Sequence, residues 1–317
     1  MYKHLFGPVP SRRLGISLGV DLVYHKVCSL DCVYCECGRT TVLTDKRKEY
    51  VPVHEVTREL EQYFSSNVDP DYITFSGSGE PTLHSGIGRV IEFIKQQKKE
   101  VSVAVLTNGT LLNQKDVRRD LMNADLIIPS LDAASARSFR RINRPCGSID
   151  IQEYIEGIRA MKEEFTGKIW LEILILPGYN DGPQDLDLLK EAAERIRPDK
   201  IQLNTLDRPG TDPSLAAAVP ERLKEIAAFF GFENIEIIAA YKGEGKTGID
   251  DSGRNLTDSI MQTLLRRPCT LEDLSATIGA RPAEITKCLA SLERQGKVKI
   301  IHQERGVFYK TIDQQDL

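Results

Sequence analysis

The sequence predicts an α/β protein, a partial (βα)6-type barrel followed by a small C-terminal winged helix-turn-helix domain. Three observations support this fold class. Apolar strands alternate with amphipathic helices through residues 1–242, several strands end in polar or glycine-containing stretches, and the pattern changes after residue 254. Alternation of this kind is typical of a parallel sheet covered by helices. We predict a barrel domain at 1–242, a linker at 243–254 and a winged-helix domain at 255–317.

The barrel elements follow from hydrophobic periodicity. Short runs rich in Val, Ile and Leu predict strands at 16–23, 72–81, 101–110, 125–133, 168–181, 199–210 and 235–241. Apolar residues at helical spacing predict helices at 53–66, 88–100, 115–124, 150–165, 184–196 and 220–232. In barrels of this type the chemistry lies where the strands end. The endings SGSGE, TNG, SLD, PGYND and LDRPG therefore predict a site at that rim.

The C-terminal region has a different organisation. Residues 243–254 are rich in glycine and charge, as expected of a linker. Helices are predicted at 255–267, 270–279 and 281–296, with Pro282 at a helix start, and two strands around a turn at 297–310. Three helices and a hairpin in this order predict a winged helix.

Composition narrows the class of protein. The chain has 317 residues, 41% hydrophobic and 28% charged, with a net charge of −4, so no global electrostatic feature favours nucleic acid or an anionic membrane. We see no signal peptide and no apolar run long enough to span a bilayer. The seven cysteines, without a secretion signal, predict a reducing cytoplasmic location and metal or redox chemistry.

Four of the seven cysteines lie within VCSLDCVYCECG, residues 27–38. Cys28, Cys32 and Cys35 form C-x3-C-x2-C, a spacing that can fold around one cubic iron–sulfur cluster. Three thiolates on four irons leave one iron open, and an open coordination position is what distinguishes a catalytic metal site from a structural one. The alternative is a structural zinc site that includes His25. Tyr34 can pack on a cluster and shield it from solvent.

The spacing C-x3-C-x-aromatic-C after the first strand of a barrel resembles the signature of the radical S-adenosylmethionine (SAM) superfamily. The resemblance implies that three cysteines bind a 4Fe–4S cluster and that SAM chelates the fourth iron. It implies that an electron from the cluster cleaves SAM to methionine and a 5′-deoxyadenosyl radical, which abstracts hydrogen from a substrate. It further implies an electron donor such as flavodoxin or ferredoxin.

A second motif supports the resemblance. Gly77, Ser78, Gly79 and Glu80 close the second predicted strand and resemble the glycine–glycine–glutamate motif that binds the SAM amino group in that superfamily. Glycines allow a ligand to approach the backbone, and a carboxylate suits an ammonium group. An ordinary β–α turn is the alternative interpretation.

Polar residues at later strand ends are weaker candidates for binding ribose, amine or substrate: Asn108, Ser130, Asp132 and Glu172. The apolar stretch from Ile173 to Leu176 could pack on adenine or simply belong to the barrel core. Arg12, Arg13, Arg144 and Arg208 are candidates to converge on the barrel mouth, where guanidinium groups would suit a carboxylate or phosphate. An anionic substrate is therefore one expectation. The sequence indicates no catalytic side chain beyond these groups and does not identify the substrate.

Within the superfamily, residues 1–245 look like a poorly characterised group of iron–sulfur oxidoreductases related to wyosine-synthesising tRNA enzymes. Those synthases carry a second cluster on cysteines upstream of the triad, and no cysteine precedes Cys28 here. Cys37 and Cys146 are too few to hold an auxiliary cluster, so we predict one cluster per chain.

The predicted winged helix also allows a rival hypothesis, an iron–sulfur-sensing transcription regulator. Residues 255–317 contain nine Lys/Arg and eight Asp/Glu, a net charge of +1, whereas DNA binding needs several phosphate-neutralising cations. The charge leaves three roles open: contact with RNA, contact with a protein, or covering of the barrel mouth. A regulator would not need a SAM-binding rim, so the enzyme is the favoured hypothesis.

Overall fold

The computed structural model describes residues 2–66, 68–147, 149–238, 256–303 and 305–312. The predicted linker at 243–254 and the end of the last predicted barrel strand lie outside these ranges. The strands are β1 (Leu5–Ser11), β2 (Gly15–Val20), β3 (Val27–Cys28), β4 (Val42–Leu43), β5 (Tyr72–Phe75), β6 (Ser102–Thr107), β7 (Leu126–Pro129), β8 (Lys168–Ile175), β9 (Lys200–Thr205), β10 (Ile235–Ile237), β11 (Val298–Gln303) and β12 (Gly306–Thr311). The helices are α1 (Val53–Ser66), α2 (Ile87–Gln97), α3 (Lys115–Asp120), α4 (Ala136–Ile142), α5 (Ile151–Glu164), α6 (Pro183–Ile196), α7 (Pro220–Phe230), α8 (Leu256–Arg266), α9 (Leu271–Ile278) and α10 (Pro282–Arg294).

Eight strands form the main sheet, in the order β1-β2-β5-β6-β7-β8-β9-β10. β1 pairs antiparallel with β2, and each later neighbour pairs in parallel. The seven strands predicted from the sequence are the seven parallel members of this sheet, so the predicted α/β barrel is confirmed. The prediction omitted β1, the two-residue strands β3 and β4, and α4.

Strand alternation divides the side chains between two layers. Ile73, Val103, Ile127 and Leu171 are fully buried in the large apolar cluster that includes helix residues. The opposite face begins with a second apolar cluster of Leu14, Ala104, Leu126 and Ile128. Further along the same face the strands carry polar groups, and these form the site.

Local signals position the helices that cover the sheet. The Asp150 carboxylate accepts hydrogen bonds from the Gln152 and Glu153 amides and caps α5, while Pro183 and Pro220 open α6 and α7. Such caps satisfy the free N–H groups of the first turn, and proline suits that position because its missing N–H is not needed there.

Residues 256–303 and 305–312, here termed the C-terminal unit, have an apolar core of their own around Ile260, Leu274, Ile285 and Leu289. Its elements are three helices followed by the antiparallel pair β11 and β12. Classification of this unit as a winged helix stays a prediction. Among the described residues, no helix combines the length and apolar character needed to cross a membrane.

The C-terminal unit lies against the barrel. The Arg305 guanidinium donates to the Asp207 carboxylate at 3.0 Å and to the Asp273 carboxylate at 2.7 Å. Asp207 follows β9 of the barrel, whereas Asp273 lies on α9, so one side chain bridges the two parts. In addition, Arg266 of α8 lies over the Phe6 ring of β1, 4.7 Å from its centroid.

Candidate active site

A cavity of about 530 Å³ opens where the parallel strands end. Its wall contains Cys28 of β3, three cysteines from the loop after it, and polar residues that follow β5, β6, β7 and β9. Ligand sites of α/β sheets form at this edge because the loops from several strands meet there. The predicted site residues that line the cavity are Cys28, Cys32, Cys35, Gly77, Gly79, Glu80, Asn108, Ser130, Asp132 and Glu172.

Each sulfur of the cysteine triad accepts a hydrogen bond. Asn108 Nδ2 lies 3.5 Å from Cys28 Sγ, and Asn143 Nδ2 lies 3.4 Å from Cys32 Sγ. The buried Lys26 ammonium lies 2.6 Å from Cys35 Sγ. Donors to sulfur orient thiolate ligands and tune the reduction potential of an iron–sulfur centre.

The cysteines differ in how readily they lose a proton. Burial raises the pKa of Cys28 to about 12 and also raises the pKa of Cys32. A hydrogen bond from Cys37 lowers the pKa of Cys35 to about 5, with help from Lys26 and against the effect of burial. Cys35 is therefore the thiol of the three that ionises most readily.

The donor set fits an iron–sulfur cluster. All seven cysteines are free of disulfides, and the triad faces one cavity together with donors to its sulfurs. Within the described ranges, no three His, Cys, Asp or Glu side chains are grouped to hold a single metal ion. Cluster ligands can stand further apart than ligands of one ion, because each holds a different iron.

The Gly77–Glu80 loop requires its glycines for close packing. Gly77 has φ +140°, and a Cβ there would lie 2.6 Å from Asp21 Cγ. A Cβ on Gly79 would lie 2.1 Å from the Val27 carbonyl oxygen, which accepts a hydrogen bond from the Glu80 amide at 3.0 Å. The loop is therefore packed directly on the backbone that precedes Cys28.

Ser78 has a different place from the one predicted. Its side chain is buried away from the cavity, and both its amide and its hydroxyl donate to Asp21 Oδ2, at 3.2 and 3.0 Å. Gly77 and Gly79 line the cavity, whereas Ser78 does not. Ser78 fixes the loop, and its side chain has no access to a ligand.

The Glu80 carboxylate is buried and extensively hydrogen bonded. Oε1 accepts from the Thr82 amide, the Thr82 hydroxyl and the Thr107 hydroxyl, and Oε2 accepts from the Asn108 amide at 2.7 Å. Burial nevertheless raises its pKa. Oε1 accepts three of these hydrogen bonds and Oε2 only one, so Oε2 is the oxygen with more room for a further donor.

The other predicted polar residues mainly form hydrogen bonds within the protein that stabilise the cavity wall. Asn108 Oδ1 accepts from the Thr110 amide and hydroxyl. The Asp132 carboxylate accepts from the Tyr34 hydroxyl, from Asn143 and from the Leu174 amide. The hydrogen bond from the Tyr34 hydroxyl to Asp132 fixes the Tyr34 ring on the cavity wall.

Glu172 pairs with Arg13 at 2.8 Å and accepts from Asn204 at 3.0 Å. Burial opposes ionisation of Glu172, but Arg13, Asn204 and Arg12 together outweigh it and lower the pKa. Ser130 lines the cavity, and its backbone oxygen accepts from the Tyr154 hydroxyl.

Two other expectations need correction. Arg12, Arg13 and Arg208 line the cavity as predicted, but Arg144 is exposed and lies outside the wall. Of the stretch considered for adenine, Ile173, Ile175 and Leu176 are completely buried in the core, and Leu174 alone lines the cavity. β8 alternates its side chains between core and cavity, so four successive residues cannot share one ligand.

Several residues that line the cavity or contact the cysteines were not predicted from the sequence. Lys26 stands two positions before Cys28, so a cation beside the cysteines was the available signal. Asn143 follows the unpredicted helix α4. Arg266 and Arg267 belong to the C-terminal unit, yet they line the barrel cavity.

Comparison with known proteins defines the class. The model of the Radical SAM superfamily matches residues 22–192. The UPF0026 protein of Methanocaldococcus jannaschii is 32% identical over 75% of this chain and 75% of that protein. The UPF0026 protein of Synechocystis is 38% identical over 66% of this chain and 77% of its own length. The chain belongs to the radical SAM superfamily and to the UPF0026 family.

One relative is much longer than this chain. A protein of Brachyspira hyodysenteriae named GTPase Obg is 34% identical over 94% of this chain, which spans only 43% of that protein. Two solved structures share the fold at low identity. A radical SAM methyltransferase from Sphaerobacter thermophilus has a TM-score of 0.55 and 15% identity, over 72% of this chain and 67% of that one. Streptococcus suis SuiB bound to S-adenosylmethionine has a TM-score of 0.51 and 13% identity, over 71% of this chain and 51% of that one.

Membership in the superfamily makes the protein a radical SAM enzyme whose cofactors are a 4Fe–4S cluster and SAM. The resemblance given by the cysteine spacing is thereby confirmed at the level of the superfamily. Enzymes of this class need a reductant and act on a substrate.

Proposed function

We propose that Cys28, Cys32 and Cys35 hold the cluster and that the Gly77–Glu80 loop holds the amino group of SAM in the same cavity. When bound, this pair of cofactors supplies a 5′-deoxyadenosyl radical that abstracts hydrogen from a substrate. The observation that carries the proposal is the convergence of the triad and the loop on one cavity, with Gly79 against the Val27 carbonyl.

The chain's own residues prepare the site. Lys26 places a positive charge beside Cys35 and offsets the charge of a thiolate. Asn108 connects the Gly77–Glu80 loop with the cysteine triad, because its backbone amide donates to Glu80 and its side chain donates to Cys28. The free position on Glu80 Oε2 suits an ammonium group, and Leu174 offers an apolar surface to a base.

Flavodoxin or ferredoxin is proposed as the electron donor. The remaining cavity, between the strand ends and the C-terminal unit, is proposed to hold the substrate.

The test is anaerobic incubation of the reconstituted protein with SAM and dithionite, followed by chromatography of the products. We expect 5′-deoxyadenosine and methionine to accumulate with the wild type and not with the protein lacking all three cysteines. If a protein carrying its full cluster binds SAM yet forms no 5′-deoxyadenosine, the proposed function is wrong.

A further inference from the structure

The C-terminal unit forms part of the cavity wall. Seven of its residues line the same space as the cysteines, and the first four lie on α8: Ser259, Gln262, Thr263, Arg266, Arg267, Thr277 and Ile278. The position of this unit is fixed by the pairing of the partly buried Arg305 with the buried carboxylates of Asp207 and Asp273. It therefore completes the site of the barrel.

Buried hydrogen-bond donors without acceptors concentrate around this cavity. Arg12 Nη1, Arg208 Nε and Arg266 Nε are buried and make no hydrogen bond within the described residues, and all three side chains line the cavity. The other described side-chain atoms in this condition are two acceptors, Asn143 Oδ1 and Asp207 Oδ1. Buried polar groups are nearly always paired, so each exception needs an explanation.

The local contacts explain why these guanidinium groups keep free donors. Asp207 Oδ2 lies 3.0 Å from Arg305 and 3.2 Å from Arg208, so Arg12 approaches it only to 3.6 Å. Arg266 Nη1 donates to the Gln262 backbone and side-chain oxygens, at 3.0 and 3.2 Å. The flat face of the Arg266 guanidinium lies on the Phe6 ring. The N–H groups along the edge of the guanidinium can therefore point at a ligand.

Unused donors on guanidinium groups match a ligand rich in acceptors. Guanidinium presents its N–H groups as a fork that fits the two oxygens of a carboxylate or phosphate, and such charge-assisted pairs are strong. We propose that the C-terminal unit completes the substrate site and that Arg266, together with Arg12, binds an oxyanion group of the substrate. This inference rests on the proposed function, since it assigns the substrate to the same cavity.

The test uses inorganic phosphate and succinate as probes of the full-length chain, with and without its cluster. Each is titrated calorimetrically at constant ionic strength set with chloride, because chloride competes for weak, exposed cationic sites. We expect Arg266→Gln and Arg12→Gln each to weaken binding of the preferred probe by about ten-fold to a hundred-fold, the usual loss for a charge-assisted hydrogen bond. Preference for phosphate would indicate a phosphorylated substrate, and preference for succinate a carboxylate.

Arg294→Gln is the matched control. Arg294 ends α10 as Arg266 ends α8, but it is exposed and lies outside the cavity wall, so its loss should leave binding unchanged. Arg266→Lys should bind with intermediate affinity, because an ammonium keeps the charge without the fork. Thermal melting verifies that each variant is folded. Equal probe affinity in wild type, Arg266→Gln and Arg12→Gln would overturn the inference.

SAM itself carries a carboxylate, so its affinity for the cluster-loaded Arg266→Gln protein is measured as well. Unchanged SAM affinity is expected. A loss of SAM affinity equal to the loss of probe affinity would assign Arg266 to SAM and overturn its role toward the substrate. Failure of cluster assembly would contradict the proposed function. The affinity for phosphate or succinate could still be interpreted, because it is also measured on protein without the cluster.

Discussion

Replacing Cys28, Cys32 and Cys35 together by alanine is expected to remove the iron from the anaerobically reconstituted protein. The wild type should bind about four irons and four sulfides per chain, as one cubic cluster requires. The three sulfurs face one cavity and each accepts a hydrogen bond from a neighbouring side chain. Removal of all three leaves no thiolate set at this position, so the brown chromophore should disappear. Iron and sulfide analysis and the visible spectrum are the measurements.

Cys37→Ala is the matched control for the triad. Cys37 lines the same cavity, and its sulfur lies 3.6 Å from the Gly77 carbonyl oxygen. The variant should retain full iron content. Wild-type iron in the triple variant would show that the ligands are misassigned.

Glu80→Gln is expected to weaken SAM binding by about ten-fold to a hundred-fold, as for loss of a hydrogen bond between charged groups. The neutral side-chain amide of the glutamine cannot attract an ammonium group. Where its Nε2 replaced Oε2, two donors would face each other, because the Asn108 backbone N–H donates to Oε2 in the wild type. The measurement is SAM affinity of the cluster-loaded protein, with iron content determined in the same samples.

Thr82→Val separates SAM binding from the general effect of the buried network. It removes the hydroxyl that donates to Glu80 Oε1 but leaves the carboxylate in place. This variant should lower the melting temperature while SAM affinity stays near that of the wild type. If Glu80→Gln binds SAM as well as Thr82→Val does, Glu80 has no direct contact with SAM.

The barrel was predictable because its strands and helices carry strong periodicity. β1 was missed because Pro8 and Pro10 argue against a strand, yet proline is tolerated at a sheet edge, where β1 lies. α4 was missed because the short segment ARSFRRI has three arginines and little apolar periodicity. Its omission hid Asn143, which lies directly after that helix and contacts Cys32.

The site was predictable in its position and less so in its detailed contacts. Strand order placed Asn108, Asp132 and Glu172 at one rim, because parallel strands end together. Whether such a side chain contacts a ligand or another part of the protein depends on its neighbours. Asn108 hydrogen bonds with Cys28, Asp132 with Tyr34, and Glu172 with Arg13. Arg266 could not be placed in the cavity from sequence, since that depends on how the C-terminal unit packs.

The open iron is tested most directly by the electron paramagnetic resonance spectrum of the reduced protein, recorded with and without SAM. Three protein thiolates on a cluster of four irons leave one iron without a protein ligand. Addition of SAM should therefore change the spectrum of the wild type. A spectrum that stays the same when SAM saturates the protein would contradict chelation of the cluster by SAM in this cavity.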